Sequence, residues 1–584
     1  MKTIKYGKFL KCCVLMCALG MGSAAAYASD ENEIIEYQGD RYVIHVDRMH
    51  PDSEMTLLDV LNTCPEFLSI NGKEIDLNYT LRVDNIDVYV DRISFLSNVK
   101  ACEIDRIQVC NNSSVAKAVD GDRGVIDIYY RDDVKTDGKV SLSGSTYGNG
   151  MLYADVTNRT EKLTVQAYAM ARTSYGKAYP IDVYRMTDRE LAENVHLKLD
   201  WKISKSDRLI VKAFQEYGDS KQKMYNPDFV SAISSNNRYV DLVLSYSHTF
   251  KNDAILFAEV GSDYERIHFN AFKAGETYPY AYVEFNTPLF TPDLWLMVGA
   301  EMDYANICNV GTNRAQELLT DFYGQLDYTH GPWVITLGDR FRMMNFWDRH
   351  HDSKDQSLWS HGRNNHSYLA SVGYKAGRNF FQGLVARRCY IPVVSDFLVD
   401  ESAPETSLKF DAAGYATNLV HQGVLRYSYQ NKNFVLHSSV EGNWYTDLPS
   451  PNIFQIGIRN SVYWKIGRWQ LTLGANYYHR HLKAGIYTDS ENENYVTLKI
   501  APALNLPKGF RLSSTLLYSS KRAITDTHPH LFATVKVNKQ FGKKCNVFAE
   551  FHDMAGYATG SWAQLTDLYQ NRALTIGATV YPFR

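Results

Sequence analysis

Beyond its first 28 residues the sequence lacks any long apolar segment, and it is poor in cysteine and in recognisable catalytic motifs. No run of 18 apolar residues follows Ala28, which excludes a membrane-spanning helix. HExxH, GxSxG and P-loop motifs are absent, so we predict neither an enzyme nor a cofactor. The cysteines after residue 28 show no CxxC spacing for zinc and are too sparse for a disulfide scaffold. They are Cys64, Cys102, Cys110, Cys308, Cys389 and Cys545.

Positive charge is also not in excess. The chain has 62 Lys and Arg against 65 Asp and Glu, and the four lysines before residue 12 belong to its N-terminal leader. Proteins that bind nucleic acid usually present a basic face, so nucleic acid is excluded as a partner.

That leader has the organisation of a secretory signal peptide. Its lysines precede an apolar stretch from Cys12 to Ala26, and Ala26-Tyr27-Ala28 provides a small-x-small cleavage site. Bulky residues before Cys17 do not fit a lipoprotein signal. We therefore expect residues 1–28 to be removed and the mature chain to begin at Ser29.

From about Lys139 to the end, apolar and polar residues alternate in short segments. Clear examples are the stretches 195–204, 434–444 and 469–478, in which one face is apolar and the other is polar. This period of two predicts β-strands. Tyr contributes 41 residues, yet mean hydropathy is −0.33. That combination suits a barrel whose strands alternate between lipid-facing and lumen-facing residues.

Short and long connections alternate along the same region. Short turns are predicted at 204–207, 329–332, 375–378, 430–433, 466–468, 506–509 and 542–544. Long polar loops are predicted at 174–190, 217–236, 307–316, 347–366, 390–416, 482–493 and 556–570. Outer-membrane barrels have short periplasmic turns and long extracellular loops. Segment counting gives about 22 antiparallel strands, within about two. An even number places both barrel termini on the periplasmic side.

Five tryptophans lie within a few residues of short turns and predict an interfacial aromatic girdle. They are Trp201, Trp295, Trp333, Trp464 and Trp469.

Residues 29–138 have mixed α/β character. We predict a helix at Thr56–Leu61 and strands at Tyr42–Val46, Thr80–Val90, Ile104–Cys110 and Gly124–Tyr130. A barrel of 22 strands is wide enough to leak, so it needs a plug. The sequence therefore predicts an all-β transmembrane β-barrel at 139–584 with a small α/β plug domain at 29–138.

The same segment resembles the plug of TonB-dependent outer-membrane receptors. Residues 56–65 are similar to the opening helix that ends at proline, 86–91 to the following strand, and 104–109 to an "IERIEV" strand. The run 112–128 resembles, without a gap, the "NPSAKYDAEGxGGIINI" form of the large outer-membrane β-barrel branch common in Bacteroidota. The resemblance covers the plug by motif and the barrel by architecture only.

This sequence keeps the plug turn of that pattern but departs from the pattern elsewhere. Asp120, Gly121 and Gly124 match, as a tight turn before a buried strand requires. Glu66 and Arg92 stand where the family has glycine, Ser113 replaces proline, and Gln108 replaces an acidic residue. The resemblance implies a plug fold. The departures bear on whether an energy-coupling protein moves this plug.

A segment that contacts TonB would be a short extended apolar stretch near the mature N-terminus. The candidate is Glu33, Ile34, Ile35, Glu36 and Tyr37. The alternative is that this segment forms the first strand of the plug.

A dense group of imidazoles and carboxylates lies in the predicted loop 347–366. It comprises Asp348, His350, His351, Asp352, His361 and His366. Such side chains could bind a metal or a metal chelate. The alternative is a solvated His-rich loop. We expect a second long loop to carry Tyr477, Tyr478, His479 and His481, to which the same two interpretations apply.

These observations predict a TonB-dependent receptor-like transporter that imports a small solute, either an iron chelate, a glycan or a peptide. We expect it in the outer membrane, in contact with lipid, with its N-terminus in the periplasm and with a TonB-type protein as energy-coupling partner. The alternative is a non-transporting barrel that serves as an assembly platform for a surface lipoprotein or secretion partner.

Overall fold

A computed structural model shows a small N-terminal sheet and a large closed barrel. The described residues are 34–38, 41–49, 55–61, 80–83, 86–87, 96, 99–111, 124–131, 136–146, 149–181, 184–226, 229–269, 272–309, 313–350, 359–390, 418–446, 453–483, 491–520, 529–542, 544–551 and 574–583. The predicted signal peptide lies outside them. Among the described residues, no helix has the length and apolarity needed to cross a membrane.

The N-terminal sheet has six strands in the order β1-β2-β5-β6-β3-β4. Their bounds are β1 Ile35–Gln38, β2 Arg41–His45, β3 Thr80–Val83, β4 Ile86–Asp87, β5 Ile104–Asn111 and β6 Gly124–Tyr130. The pair β3 and β6 is parallel, and the other pairs are antiparallel. A mixed sheet of this size agrees with the α/β character predicted for the segment.

The predicted plug helix, α1, spans Leu57–Leu61. Thr56 precedes it and forms a reciprocal cap with Asp59. The Thr56 N–H donates to Asp59 Oδ2 at 2.9 Å, and the Asp59 N–H donates to Thr56 Oγ1 at 3.2 Å. This arrangement satisfies amide donors that a helix start leaves without helical partners. Four of the five helix residues are buried, so α1 packs into the sheet core.

The rest of the described chain forms one closed antiparallel barrel of 22 strands, which confirms the strand count. Closure comes from the last strand pairing with the first, with Val580 opposite Val140. The bounds are β7 Thr136–Ser145, β8 Gly150–Arg159, β9 Leu163–Ile181, β10 Tyr184–Lys202, β11 Asp207–Asn226, β12 Phe229–Thr249, β13 Ile255–Phe269, β14 Phe272–Pro288, β15 Leu294–Asn309, β16 Asn313–His330, β17 Trp333–His350, β18 Trp359–Ala376, β19 Asn379–Tyr390, β20 Asn418–Asn431, β21 Phe434–Thr446, β22 Ile453–Ile466, β23 Trp469–Leu482, β24 Glu491–Leu506, β25 Phe510–Ser519, β26 His530–Phe541, β27 Cys545–Phe551 and β28 Leu574–Val580.

Alternation along each strand gives the wall two chemically different faces. In β10, Val195 and Leu197 are exposed on the outer face, whereas Lys198 and Asp200 are buried on the lumen side, as the sequence predicted. In β25, Leu512 is exposed outside and Arg511 is buried inside. An apolar exterior around a polar lumen is the reverse of a water-soluble protein and suits a membrane-embedded barrel.

Several of the predicted long loops are continuations of the strands. Between β9 and β10 only residues 182–183 lie outside the ladder, and between β11 and β12 only 227–228 do. The prediction of loops at 174–190 and 217–236 is therefore wrong. Ladder hydrogen bonds join backbone groups, so a polar sequence can continue a strand pair beyond the apolar band. Longer connections remain at 391–417 and 552–573, at the same end of the barrel, hereafter the long-loop end.

At the other end, hereafter the short-turn end, strands are joined by tight turns. Gly331, Gly377, Gly467 and Gly542 occupy such turns with φ between 54° and 60°. Residues other than glycine rarely adopt a positive φ of this size.

Four of the five predicted girdle tryptophans lie on the outer face near these turns. Trp201, Trp333, Trp464 and Trp469 are 45–52% exposed. Trp295 is the exception, because it lies two residues from the buried Met297 and therefore on the lumen side. The girdle prediction is wrong for Trp295, since distance from a turn alone does not give the face of the strand.

Candidate functional site: a plug held in the lumen

The N-terminal sheet packs inside the barrel, at the short-turn end. Its buried aliphatic residues form one apolar core with six lumen-facing residues of the barrel wall. These are Tyr153, Met170, Val334, Phe380, Val435 and Tyr463. Val334, Phe380 and Val435 are each the second residue of their strand after a short turn. The sheet thus occupies the place of a plug.

The outer edge of the plug sheet is satisfied by a barrel side chain. The Ile35 N–H donates to Gln430 Oε1 at 2.9 Å, and Gln430 Nε2 donates to the Ile35 carbonyl at 2.5 Å. Gln430 is buried near the short-turn end of β20. Its amide therefore takes the position that a further strand would take along β1.

The candidate TonB-contact segment coincides with this edge. Ile34 and Ile35 are only 3% exposed, and β1 pairs in register with β2, with Tyr37 opposite Tyr42. Glu36 accepts a hydrogen bond from His45 Nε2 at 3.0 Å. Glu33 lies outside the described residues. In this arrangement the segment forms the first strand of the plug, and its pairing with TonB stays a prediction.

Lysine side chains of the wall provide further contacts with the plug. Lys139 of β7 is 3% exposed, and its Nζ lies 3.4 Å from Glu103 Oε2 of the plug and 3.3 Å from Asp155 Oδ2 of β8. Lys465 Nζ of β22 donates to the Met49 carbonyl at 3.3 Å. Moving the plug would separate Glu103 from the buried Lys139 and leave that lysine with Asp155 alone, so this ion pair favours one plug position.

The plug turn is described only at its end. Gly124 begins β6 opposite Asn111, while Asp120 and Gly121 lie outside the described residues. Strand β6 then carries Ile126 and Ile128 into the plug core.

The His-rich region does not form one loop. Asp348 and His350 end β17, and His361 and His366 belong to β18, whereas His351 and Asp352 lie outside the described residues. Positions 361 and 366 are separated by five residues and so fall on opposite faces of the strand. Among the described residues, no group of three or more His, Cys, Asp or Glu could hold a metal ion. The prediction that positions 361 and 366 share one loop is wrong.

His366 instead takes part in a small outer-face contact. Its Nδ1 lies 3.3 Å from Asp339 Oδ2, and its ring centroid is 4.8 Å from that of Phe341. Both side chains are more than half exposed, so this contact contributes little to stability.

The second predicted loop site is also divided between faces, because its residues belong to β23. Tyr478 is buried on the lumen side and stacks on Tyr495, with centroids 4.8 Å apart. His479 and His481 lie on the other face and contact Asn494 and Asn492 of β24, each at 2.9 Å. The two-residue period separates only Tyr478, because Tyr477 shares the other face with the two histidines and its hydroxyl also donates to Asn494 Oδ1 at 2.7 Å.

A buried charge cluster in the lumen wall was missed at the sequence level. Arg342 Nε donates to Asp321 Oδ1 at 2.8 Å, and Arg340 Nε donates to Asp321 Oδ2 at 2.7 Å. Arg340 Nη2 also reaches Glu301 Oε2 at 2.5 Å. In the sequence these charged residues occupy the alternate positions of β15, β16 and β17 that are polar and face the lumen. The register between the three strands, which the sequence does not show, brings them together.

No family model and no curated protein matches the sequence. Solved structures match its fold over nearly the whole chain. The siderophore receptor PirA from Pseudomonas aeruginosa has 14% identity and a TM-score of 0.63, covering 94% of this chain and 100% of the other. The FrpB iron transporter from Neisseria meningitidis has 10% identity and a TM-score of 0.66, covering 94% and 100%.

The ferric-catecholate import receptor Fiu from K12 E. coli is similar in the same way. It has 11% identity and a TM-score of 0.66, and the match covers 96% of this chain and 99% of the other. At such identities the likeness establishes the fold. The chain therefore has the plugged-barrel fold of outer-membrane receptors, and the resemblance to TonB-dependent receptors is confirmed at that level.

Proposed function

We propose that this protein is an outer-membrane transporter that admits a small solute when its plug moves. The observation that carries the proposal is the position of the plug sheet within the barrel. Its contacts with the wall include a few polar anchors, at Gln430, Lys465 and Lys139, besides apolar packing. An inner sheet that is held against the lumen wall by side-chain contacts suits gated passage rather than catalysis.

The short-turn end of the barrel would face the periplasm. Short turns occur on the periplasmic side of outer-membrane barrels, and the plug lies at that end. Because the number of strands is even, β7 begins and β28 ends at the same end of the barrel. The N-terminal segment would therefore also be periplasmic.

Energy coupling would act on β1. Strand addition needs a backbone edge with free N–H and C=O groups. The side-chain amide of Gln430 is hydrogen-bonded to the N–H and C=O groups of Ile35 on that edge. A TonB-type partner would have to replace this amide. Such an exchange would couple partner binding directly to loss of one plug anchor.

Among the three predicted solute classes, we infer an iron chelate. The similar solved structures are described as siderophore receptors or iron transporters, which supports this choice over a glycan or a peptide. The Bacteroidota-type branch stays a prediction, as does a surface-lipoprotein partner.

Uptake by cells tests the proposal. Iron-starved cells that express the protein should accumulate labelled ferric chelates, and a protonophore or loss of TonB should abolish accumulation. Parallel arms with labelled oligosaccharide and oligopeptide mixtures test the other classes. If no arm shows uptake that depends on this protein, the transport proposal is wrong and the assembly-platform alternative is favoured.

A further inference from the structure

Four exposed cations form a patch on the outer face of the barrel, on the neighbouring strands β10, β11, β12 and β13. They are Arg189, Lys221, Arg238 and Arg266. Each shares its parity with exposed apolar residues of the same strand, such as Val195 on β10 and Leu242 on β12. Their side chains therefore point away from the lumen.

The cations occur as two cross-strand pairs. Arg189 lies directly opposite Lys221, and Arg238 lies directly opposite Arg266. Side chains in such positions have Cβ atoms about 5 Å apart, and like charges directly opposite each other destabilise a sheet. Two repulsive pairs side by side need compensation, either by neighbouring acidic side chains or by an anion outside the protein.

Nearby acidic groups neutralise the patch only in part. Asp219 lies 3.7 Å from Lys221, and Glu193 is exposed on the same face of β10. Arg266 Nε donates to His268 Nε2 at 2.9 Å, a contact that leaves its positive charge in place. With these acids counted, the patch retains an excess of positive charge and exposed guanidinium groups.

The height of the patch on the barrel identifies the compartment it faces. The four cations lie about 11 to 14 residues from the short-turn end, which is roughly 28–35 Å at a strand tilt of about 40°. The apolar band of such a barrel is about 25 Å tall. The patch is thus just beyond the band, at the level of lipid headgroups on the long-loop side.

The patch is local. At the same level, the described outer-face residues within β20 to β24 include no Lys or Arg, and Lys483, the first residue after β23, is a single exposed cation there. That level is occupied instead by residues such as His421, Trp444, Phe454 and Asn494. Positive charge that served only to orient the barrel in the membrane would be expected around its whole circumference, and not on four neighbouring strands.

We propose that this patch binds a lipid whose headgroup carries two phosphate groups, in the leaflet at the long-loop end. Guanidinium groups bind phosphate oxygens in a bidentate manner, and each cross-strand pair offers one such position. The two pairs are offset by four residues along β11, from Tyr217 to Lys221, or about 13 Å. The acyl chains would lie on the apolar face below. The proposal rests on the proposed function only for the orientation of the barrel.

Native mass spectrometry of the detergent-purified full chain tests it, with bisphosphorylated lipid A, monophosphoryl lipid A and inorganic phosphate as probes. We expect the wild type to retain bisphosphorylated lipid A most tightly, with an affinity that falls as salt rises. The variant R189Q/K221Q/R238Q/R266Q should bind it about 10- to 100-fold more weakly. R238Q/R266Q alone should lose part of that affinity.

A matched control removes four exposed cations at the short-turn end, in the variant K162Q/K205Q/K251Q/R468Q. Each variant is first checked for the gel-mobility shift of a folded barrel. Equal retention by wild type and patch variant would overturn the proposal, and so would an equal loss in the control. Displacement of the lipid by millimolar inorganic phosphate would identify a soluble anion instead. Lipid retention is read without transport, so failure of uptake leaves this result standing.

Discussion

The side-chain amide of Gln430 forms hydrogen bonds with both the N–H and the C=O of Ile35, so a barrel residue completes the edge of the plug sheet. Strand β1 is therefore bound on one side by β2 and on the other by β20. The segment that an energy-coupling partner would need is the segment that fastens the plug.

Replacing Gln430 by alanine should loosen β1 without unfolding the barrel. Loss of both hydrogen bonds lowers the local opening free energy by about 1–2 kcal/mol, so amide exchange in residues 34–38 should be about tenfold faster. Hydrogen-exchange mass spectrometry measures this. Gln422→Ala, on the same face of β20 and away from β1, is the control and should leave that exchange unchanged. Unchanged exchange in Gln430→Ala would show that the contact does not hold β1.

Ile35→Pro should abolish energised uptake while the barrel remains at normal abundance. Proline removes the amide donor and fixes φ, so it breaks any backbone pairing along this edge. It also removes the hydrogen bond to Gln430, and Gln430→Ala separates the two effects. Uptake lost in Ile35→Pro but kept in Gln430→Ala indicates strand pairing with a partner. Full uptake in Ile35→Pro would exclude this segment as the TonB contact.

Deleting the plug should open the barrel. The structure places the start of β7 at Thr136, so the deletion is best made over residues 29–135, which leaves that strand complete. We expect a large rise in single-channel conductance in planar bilayers, since the described plug core packs against the lumen wall near the short turns. A conductance equal to that of the intact protein would mean that other segments close the lumen.

Asp321→Asn should strongly destabilise the barrel wall. Asp321 is 1% exposed and binds both Arg340 and Arg342, so its neutralisation leaves buried positive charge and costs about 3–5 kcal/mol. The triple variant with Asp321→Leu, Arg340→Met and Arg342→Met should lose less. Asp339→Asn, on the exposed face of β17, is the control. Urea unfolding followed by gel mobility provides the measurement, and similar midpoints for all variants would contradict the account of the cluster.

The strand count could be read from sequence because alternation with period two survives wherever one face meets lipid. The plug strand Gly124–Tyr130 was predicted with its observed bounds, and the plug helix begins next to its capping residue Thr56. Local chemistry determines both features, so no knowledge of distant partners was needed.

What could not be predicted depends on pairing between distant segments. Gln430 and Ile35 are 395 residues apart, and only the closed barrel brings them together. The Arg340 cluster likewise depends on the register of three strands. The loop predicted at 174–190 is too long because polar residues continue the β-ladder beyond the lipid. There neither face of the strand is apolar, so the alternation of side chains no longer shows where a strand ends.

The central claim is that the plug must leave the wall for solute to pass, and cross-linking the two tests it most directly. In Ile35→Cys/Gln430→Cys, a short reducible thiol linker would join β1 to β20, with Gln430→Cys alone as control because Cys102, Cys110 and Cys545 are free thiols. We predict that linked cells lose uptake of the labelled solute and regain it on reduction, while the control is unaffected. Undiminished uptake through a fully linked protein would contradict the account.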